Sequence, residues 1–255
     1  MPFADELKDW RRRRRMSQLD LALAAGVSSR HVAFLETERS KPSRAMVLNL
    51  TSALEVPAAD RNQLLLEAGF APAYVARPLD EQDMAHVLGA IDWMLTRHAP
   101  YPAFAVDRHW NVAMANATAR TILAAIGVTP GESLLQALQD ARLLRQTVCN
   151  WPEVACHLSE RLRRESSRLG GDAVLDEAVI GLREEAADFN RGAEHTLAPI
   201  MPLRLRLDDQ ELALFSVISE FTSAQDAGLA ELKIELMFPA DDASRGLLEA
   251  LADGA

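Results

Sequence analysis

Over residues 17 to 35, SQLDLALAAGVSSRHVAFL, apolar positions return at helical spacing in two short runs broken by one glycine. Leu21, Ala25, Val32 and Leu35 supply contacts on one side, Ala22 has no bulk where a second helix must cross closely, and Gly26 offers the positive φ of a tight turn. Ser28 stands where the second helix needs an N-cap. Helical spacing continues from Ser43 to Leu54 and from Asp60 to Ala68, with Pro57 between them. It breaks over AGFAPAYVARPLD, residues 68 to 80, at Gly69, Pro72 and Pro78. A chain of 255 residues is longer than a five-helix domain needs. The expected organisation is therefore one domain over residues 1–79 and a second over 80–255.

Past that break the pattern predicts a helix from Gln82 to Thr96 and then a hairpin, PAFAV (102–106) and NVAMA (111–115), alternating around DRHW. Helical segments follow at 116–126, 132–147, 152–168 and 173–188. Alternation returns in three strands at 199–207, 211–221 and 232–238, with Asp208, Asp209 and Gln210 turning between the first two. Two strands, a helical block and three strands is the order of a PAS-type fold, in which helices cap one face of a five-stranded antiparallel sheet. The fold class read from the pattern is α+β in two domains, an all-α helix-turn-helix domain followed by a PAS-like one.

Charge alters the picture only when it is divided. The whole chain carries −10, yet residues 1–79 carry +3 and the remainder −13, a basic head on an acidic body. Arg11 to Arg15 form an unbroken run that cannot share one helix face at 100° per residue. Leu7 and Trp10 mark the buried side, which sets Arg11 apart from arginines that face solvent or phosphate.

The small residue, glycine, cap and basic exit phrase LETERSKPS (35–43) together resemble the lambda-repressor-like helix-turn-helix of the xenobiotic-response-element class. That resemblance implies that Gln18 opens the first helix of the motif and holds a phosphate. It implies that Ser28, Ser29, Arg30 and His31 form the first turn of a recognition helix, with Arg30 reading a guanine in the major groove. Phe34 is placed either against a thymine methyl or in the core, while Arg39, Lys41 and Arg44 suit phosphate contact. Arg11 is implied to pair with Glu36 at the end of the recognition helix. One such helix reads only a few base pairs, so a homodimer on a pseudo-palindromic double-stranded DNA operator is expected.

VDRHWNVAMANATARTIL (106–123) resembles a PAS opening, in which a hairpin ends in asparagine, here Asn116, and enters a helix. With the linker AGFAPAY, the phrase HAPYPAFAVDRHWNVAMANATA (98–119), NWPEV (150–154) and LKIELMFPADDASR (232–245), nearly the whole chain resembles the MmyB-like regulators. This implies a DNA-binding domain followed by a PAS-like domain that binds a small apolar ligand and dimerises. Residues 133–146 lack the proline and glycine of the family pattern, and 166–195 match loosely. A sheet covered on one face leaves a cavity wherever facing side chains are too small to fill it. Candidate lining residues are Phe104, Trp110, Met114 and Asn116 from the hairpin, and Phe215, Val217, Ile234, Leu236 and Phe238 from the closing strands. Plain core packing is the other reading of each. Arg142, Arg145 and Arg204 are candidates to meet an acidic headgroup such as that of a fatty acid.

Traces of catalysis are missing: there is no GxSxG, P-loop, GxGxxG after a strand, or HExxH, and the six histidines at 31, 86, 98, 109, 157 and 195 are scattered. No enzymatic activity, metal or cofactor is expected. Cys149 and Cys156 on a single helix stand about 10 Å apart in rise, too far for a disulfide, and read as structural thiols. Without an apolar run of ~20 residues or a signal peptide, the expectation is a cytoplasmic protein that does not enter membranes. Two functions stay open, a ligand-gated DNA-binding regulator and a DNA-binding regulator whose second domain is a filled interaction and dimerisation module.

Overall fold

The computed structural model describes residues 2–75, 84–138, 141–187, 200–207, 209–221 and 226–253. The chain divides into two compact units, Met1–Arg77 with Glu165–Asp172 and Ser223–Ala230, and Pro78–Arg164 with Ala173–Thr222 and Glu231–Ala255. The boundary expected near residue 79 lies outside the described residues.

In the first unit, α1 (Pro2–Arg13), α2 (Gln18–Ala25), α3 (Ser29–Glu36), α4 (Arg44–Ala53) and α5 (Ala58–Glu67) surround one apolar core. Phe3, Leu7 and Trp10 of α1 meet Leu21, Val32, Leu35, Val47, Leu50 and Leu64 there. Each start has a local cause: Ser17 and Asp20 form a reciprocal capping box on α2, and Ser28 and Ser43 accept from the backbone N–H three residues on in α3 and α4. Gly26 ends α2 at φ 66°, the left-handed turn its sequence position called for. Arg14 stacks over Trp10 at 5.3 Å and donates to the carbonyls of Leu54 and Glu55, which lie just past α4. The linker residues Ala73 and Tyr74 dock onto α5, where the Asn62 side chain accepts from both their N–H groups and donates to the Tyr74 carbonyl.

The second unit contains a five-stranded antiparallel sheet in the order β2-β1-β5-β4-β3. Its strands are β1 (Ala103–Val106), β2 (Val112–Ala115), β3 (Leu203–Leu207), β4 (Gln210–Glu220) and β5 (Lys233–Pro239). The closing strand β5 inserts between the hairpin and β4, so the first and last thirds of this unit are held in one sheet. Around it lie α6 (Ala85–Arg97), α7 (Ala117–Ala125), α8 (Leu134–Ala137), α9 (Ala141–Thr147), α10 (Trp151–Arg168), whose last turn from Glu165 belongs to the first unit, and α11 (Ala173–Glu185). A short α12 (Ala227–Ala230), which belongs to the first unit, precedes β5, and α13 (Asp242–Asp253) follows it.

Differences from the sequence expectation concern element ends, one helix that is split, and two helices, α12 and α13, that the pattern did not predict. The helix expected over 132–147 is two pieces, α8 and α9, and residues 139–140 between them lie outside the described set. The strand expected from 199 begins at Leu203, and Asn150 holds the chain across that start: its amide donates to the Pro202 carbonyl and its oxygen accepts from Arg204 N–H. Residues 82–83, 188, 199 and Asp208, which the expected elements included, lie outside the described residues. The helix α13 was not foreseen, although Asp241 accepting from Ser244 N–H is a recognisable helix start, and Ser244 in turn accepts from Ala213 of β4.

Asn116 joins three elements. Its side-chain oxygen accepts from Ala119 N–H at the start of α7 and from Ala103 N–H at the start of β1, and its amide donates to the carbonyls of Leu95 and Tyr101. With the residue buried, every one of these partners would lose its hydrogen bond in an Asn116→Ala variant. That variant is expected to lose about 3 kcal/mol of stability in the second unit, measured as a shift in its denaturant unfolding midpoint.

Candidate functional site

Two regions carry functional geometry, one in each unit. In the first, α2 and α3 cross at the Gly26 turn, and α3 buries Val32, Leu35 and Glu36 while Ser29 and Arg30 are exposed. The burial of Glu36 is made tolerable by its partners. Arg11 grips it bidentately, Nε to Oε1 at 2.6 Å and a terminal nitrogen to Oε2 at 2.8 Å, and Gln18 donates to the same Oε2 at 2.8 Å. Side-chain exposures of 11% for Arg11 and 2% for Glu36 place this pair within the domain rather than on its surface. Burial pushes the Glu36 carboxyl up, but the hydrogen bonds from Arg11 and Gln18 outweigh it and hold the group below its ordinary value.

In the second unit a cavity of about 770 Å³ opens between one face of the sheet and the helices. The sheet presents Phe104, Leu203, Leu205, Leu214, Glu235 and Met237; α7 adds Ile122 and Leu123, α8 adds Leu134, α9 adds Leu144, and α10 adds Trp151, Val154 and Leu158. A polar cluster in its wall is built mainly from α10. There Arg161 pairs with the buried Glu235 and lies 4.5 Å over the Trp110 ring, with Arg164, Glu160 and His157 beside it. His157 is held below its ordinary value by burial first, then by the charges of Arg161 and Arg164.

A family model for the MmyB-like transcription regulator ligand binding domain matches residues 87–251, and one for a helix-turn-helix domain matches residues 2–64. The chain belongs to the MmyB-like transcription regulators. Both matched families are of non-enzymatic kinds, and together they make this MmyB-like chain a DNA-binding transcription regulator with a separate ligand-binding domain. Among solved structures it is similar to the PAS domain of BvgS from Bordetella pertussis, at 12% identity and a TM-score of 0.31, over 67% of this chain and 99% of that one. No curated protein matches the chain. Among the described residues, no helix is long and apolar enough to cross a membrane.

For the MmyB-like head, Ser28, Ser29, Arg30 and His31 do open α3, and Arg39 and Lys41 are exposed beyond its end. Gln18 is the first residue of α2, but its amide is turned inward to Glu36. Phe34 is half-buried and is not a member of the apolar core.

The ligand-lining expectations divide by sheet face except at Phe215, which is in step with Val217 and Phe238 and still reaches the lining. Phe104, Trp110 and Phe215 line the cavity. Ile234 and Leu236 do not: they flank Glu235 on β5, so alternation turns them to the opposite face, together with Val217, the register partner of Leu236. Met114, opposite Ala105 and hence in step with Ile234, follows them. Phe238 stacks with Phe215 and meets His98 edge-on, outside the lining. Asn116 spends its polar atoms inside the fold. Arg145 and Arg204 are salt-bridged to Glu185 and Glu211, and neither these two nor the exposed Arg142 lines the cavity. Among the described residues the arginines that do are Arg161 and Arg164, and the sequence signal for Arg161 was a basic residue two turns along the helix from the apolar face of Val154. Cys156 lines the cavity while Cys149 is exposed before α10 begins, so the two do not share a helix, and they form no disulfide.

The depressed Glu36 carboxyl has a consequence for acid stability. A group whose folded pKa lies below its unfolded one contributes stability above the unfolded value, about 4.3 for glutamate, and loses it as pH falls through the folded value. Glu36→Gln is expected to cost the head about 3 kcal/mol at pH 7, since it leaves the Arg11 charge buried without its counter-charge. Denaturant unfolding of the head should also lose the part of its acid dependence below pH 4.3 that the native protein shows.

Proposed function

We propose that this regulator reads DNA with the first turn of α3 and is gated by a small apolar ligand held in the cavity of its second unit. The observation that carries the reading is the cavity itself. A space of about 770 Å³ walled by leucine, isoleucine, methionine and tryptophan is far larger than the packing defects folds tolerate, and it falls in the range of ligand sites. This favours a ligand over the filled interaction module that the sequence left open. Its charged cluster at Arg161 suits an elongated molecule with one polar head, an acyl chain or fatty acid being the simplest. A carboxylate head would share the Arg161 guanidinium with Glu235, since that group has five donors.

On the DNA side, Arg30 is the reader of a guanine edge, and Arg39, Lys41 and Arg44 are the phosphate contacts. Two copies related by a two-fold axis bind a pseudo-palindromic operator in the cytoplasm. A ligand acts on such a system only through unequal affinity for two states of the protein, and the coupling then appears equally in both affinities.

Denaturing the purified protein, extracting with organic solvent and identifying the extract by mass spectrometry tests the ligand. A stoichiometric apolar compound that changes affinity for the protein's own upstream DNA is expected, and a clean extract from several growth conditions contradicts it. Leu158→Trp, which fills the cavity, is expected to lower retention of that compound about tenfold and to make DNA affinity insensitive to it. On the DNA side, Arg30→Ala should cost about 1–3 kcal/mol and relax preference at one base position. Lys41→Ala should weaken all sequences alike and lower the salt slope by about 1, both read from binding isotherms at several salt concentrations.

A further inference from the structure

The end of α3 places two cations against one aromatic ring. Past the C-cap Thr37, Glu38 turns left-handed at φ 59° and its N–H binds the Leu35 carbonyl, while Arg39 N–H binds the Phe34 carbonyl at 2.8 Å. These two crossed bonds form a Schellman motif. In that motif the residue after the left-handed turn packs on the one three places inside the helix end, commonly through an apolar contact. Here the contact is a guanidinium on a ring: Arg39 lies 6.0 Å from the centroid of Phe34. Arg30, one turn earlier on the same helix face, lies 5.1 Å from the same centroid.

Two like charges gathered on one ring repel each other, and the ring quadrupole offsets only part of that. Among the described residues neither arginine is ion-paired to a carboxylate, and both are exposed. The arrangement is therefore completed only by an external anion or by the acceptor edge of a base. We propose that Phe34 is a positioning residue for DNA recognition: its ring holds Arg30 toward a base edge and Arg39 toward the adjoining phosphate as one prearranged unit. Its part is thus not a thymine contact of its own. The inference rests on α3 being the helix that enters the groove. It gives the Glu38 turn a role as well, since that turn brings Arg39 back over the ring.

The test uses the full chain and a duplex that the wild type enriches from a randomised pool. Phe34→Leu keeps an apolar side chain in the helix but removes the π face, and Phe34→Tyr keeps the face. Phe34→Leu is expected to lower affinity for the duplex about tenfold and to flatten preference at the base read by Arg30, with Phe34→Tyr within about threefold of wild type. In an Arg30→Ala, Arg39→Ala background the same Phe34→Leu change should cost less than about twofold. Without DNA, the Nε–H resonances of Arg30 and Arg39 should be displaced by the ring current in the wild type and return to ordinary positions in Phe34→Leu. Undisplaced resonances, equal binding by the Leu and Tyr variants, or a full tenfold loss persisting in the double-alanine background would overturn the proposal. If the wild type enriches no duplex at all, the DNA-reading assignment of α3 itself fails, and that result is distinct from each of these.

Discussion

A polar side chain can be buried where secondary-structure elements meet only if each of its hydrogen-bonding atoms finds a partner, and this constraint fixes both units of the regulator. In the head, Glu36 ends α3 deep inside the domain. Arg11 from α1 and Gln18 from α2 close on it, so three helices share one ionic knot. In the second unit Asn116 does the corresponding work without charge, binding the end of α6, the start of β1 and the first turn of α7. Hydrophobic burial supplies most of the driving force in each, but it is indifferent to the angle at which elements cross. The directional bonds set where the exposed turn of α3 stands and where the sheet meets its covering helices.

The cavity follows from the same division between filling and fixing. One face of the sheet meets α10, whose start is anchored by Asn150 to the strand that begins at Leu203. The Trp151 indole donates to Glu185 of α11, which joins a second helix to the same wall. With its walls held from several sides, the space between them does not close by collapse, and its apolar surface is available to a molecule that is not part of the chain. The charge in its wall is already organised as Arg161 with Glu235 on the Trp110 ring.

What was legible in the sequence is what is local. Gly26, Ser28, the Arg11 to Glu36 spacing and the alternating strands each act within a few residues or through a motif of fixed geometry, and the family resemblance joined them in the right order. The faces of the sheet were not legible. Alternation separates Ile234 and Leu236 from Glu235 and Met237, but it does not say which set looks into the cavity. The more apolar set was assigned there, and the structure puts the set containing a buried glutamate there instead. Asn116 was noticed for its place at the end of a hairpin; its partners at Leu95 and Tyr101 are distant enough in sequence that only the fold reveals them. Of the expected arginines, Arg145 and Arg204 are paired with Glu185 and Glu211, whereas Arg161 reaches the cavity from a helix packed on the sheet.

If ligand and DNA act on one equilibrium, thermodynamic linkage ties their affinities together whatever the shape of either state. The most direct measurement is calorimetric titration of the co-purified compound into ligand-stripped protein, once alone and once saturated with its selected duplex. The compound's Kd should change between the two titrations by the same factor by which the compound changes the duplex Kd. Identical Kd values in the two titrations would contradict it.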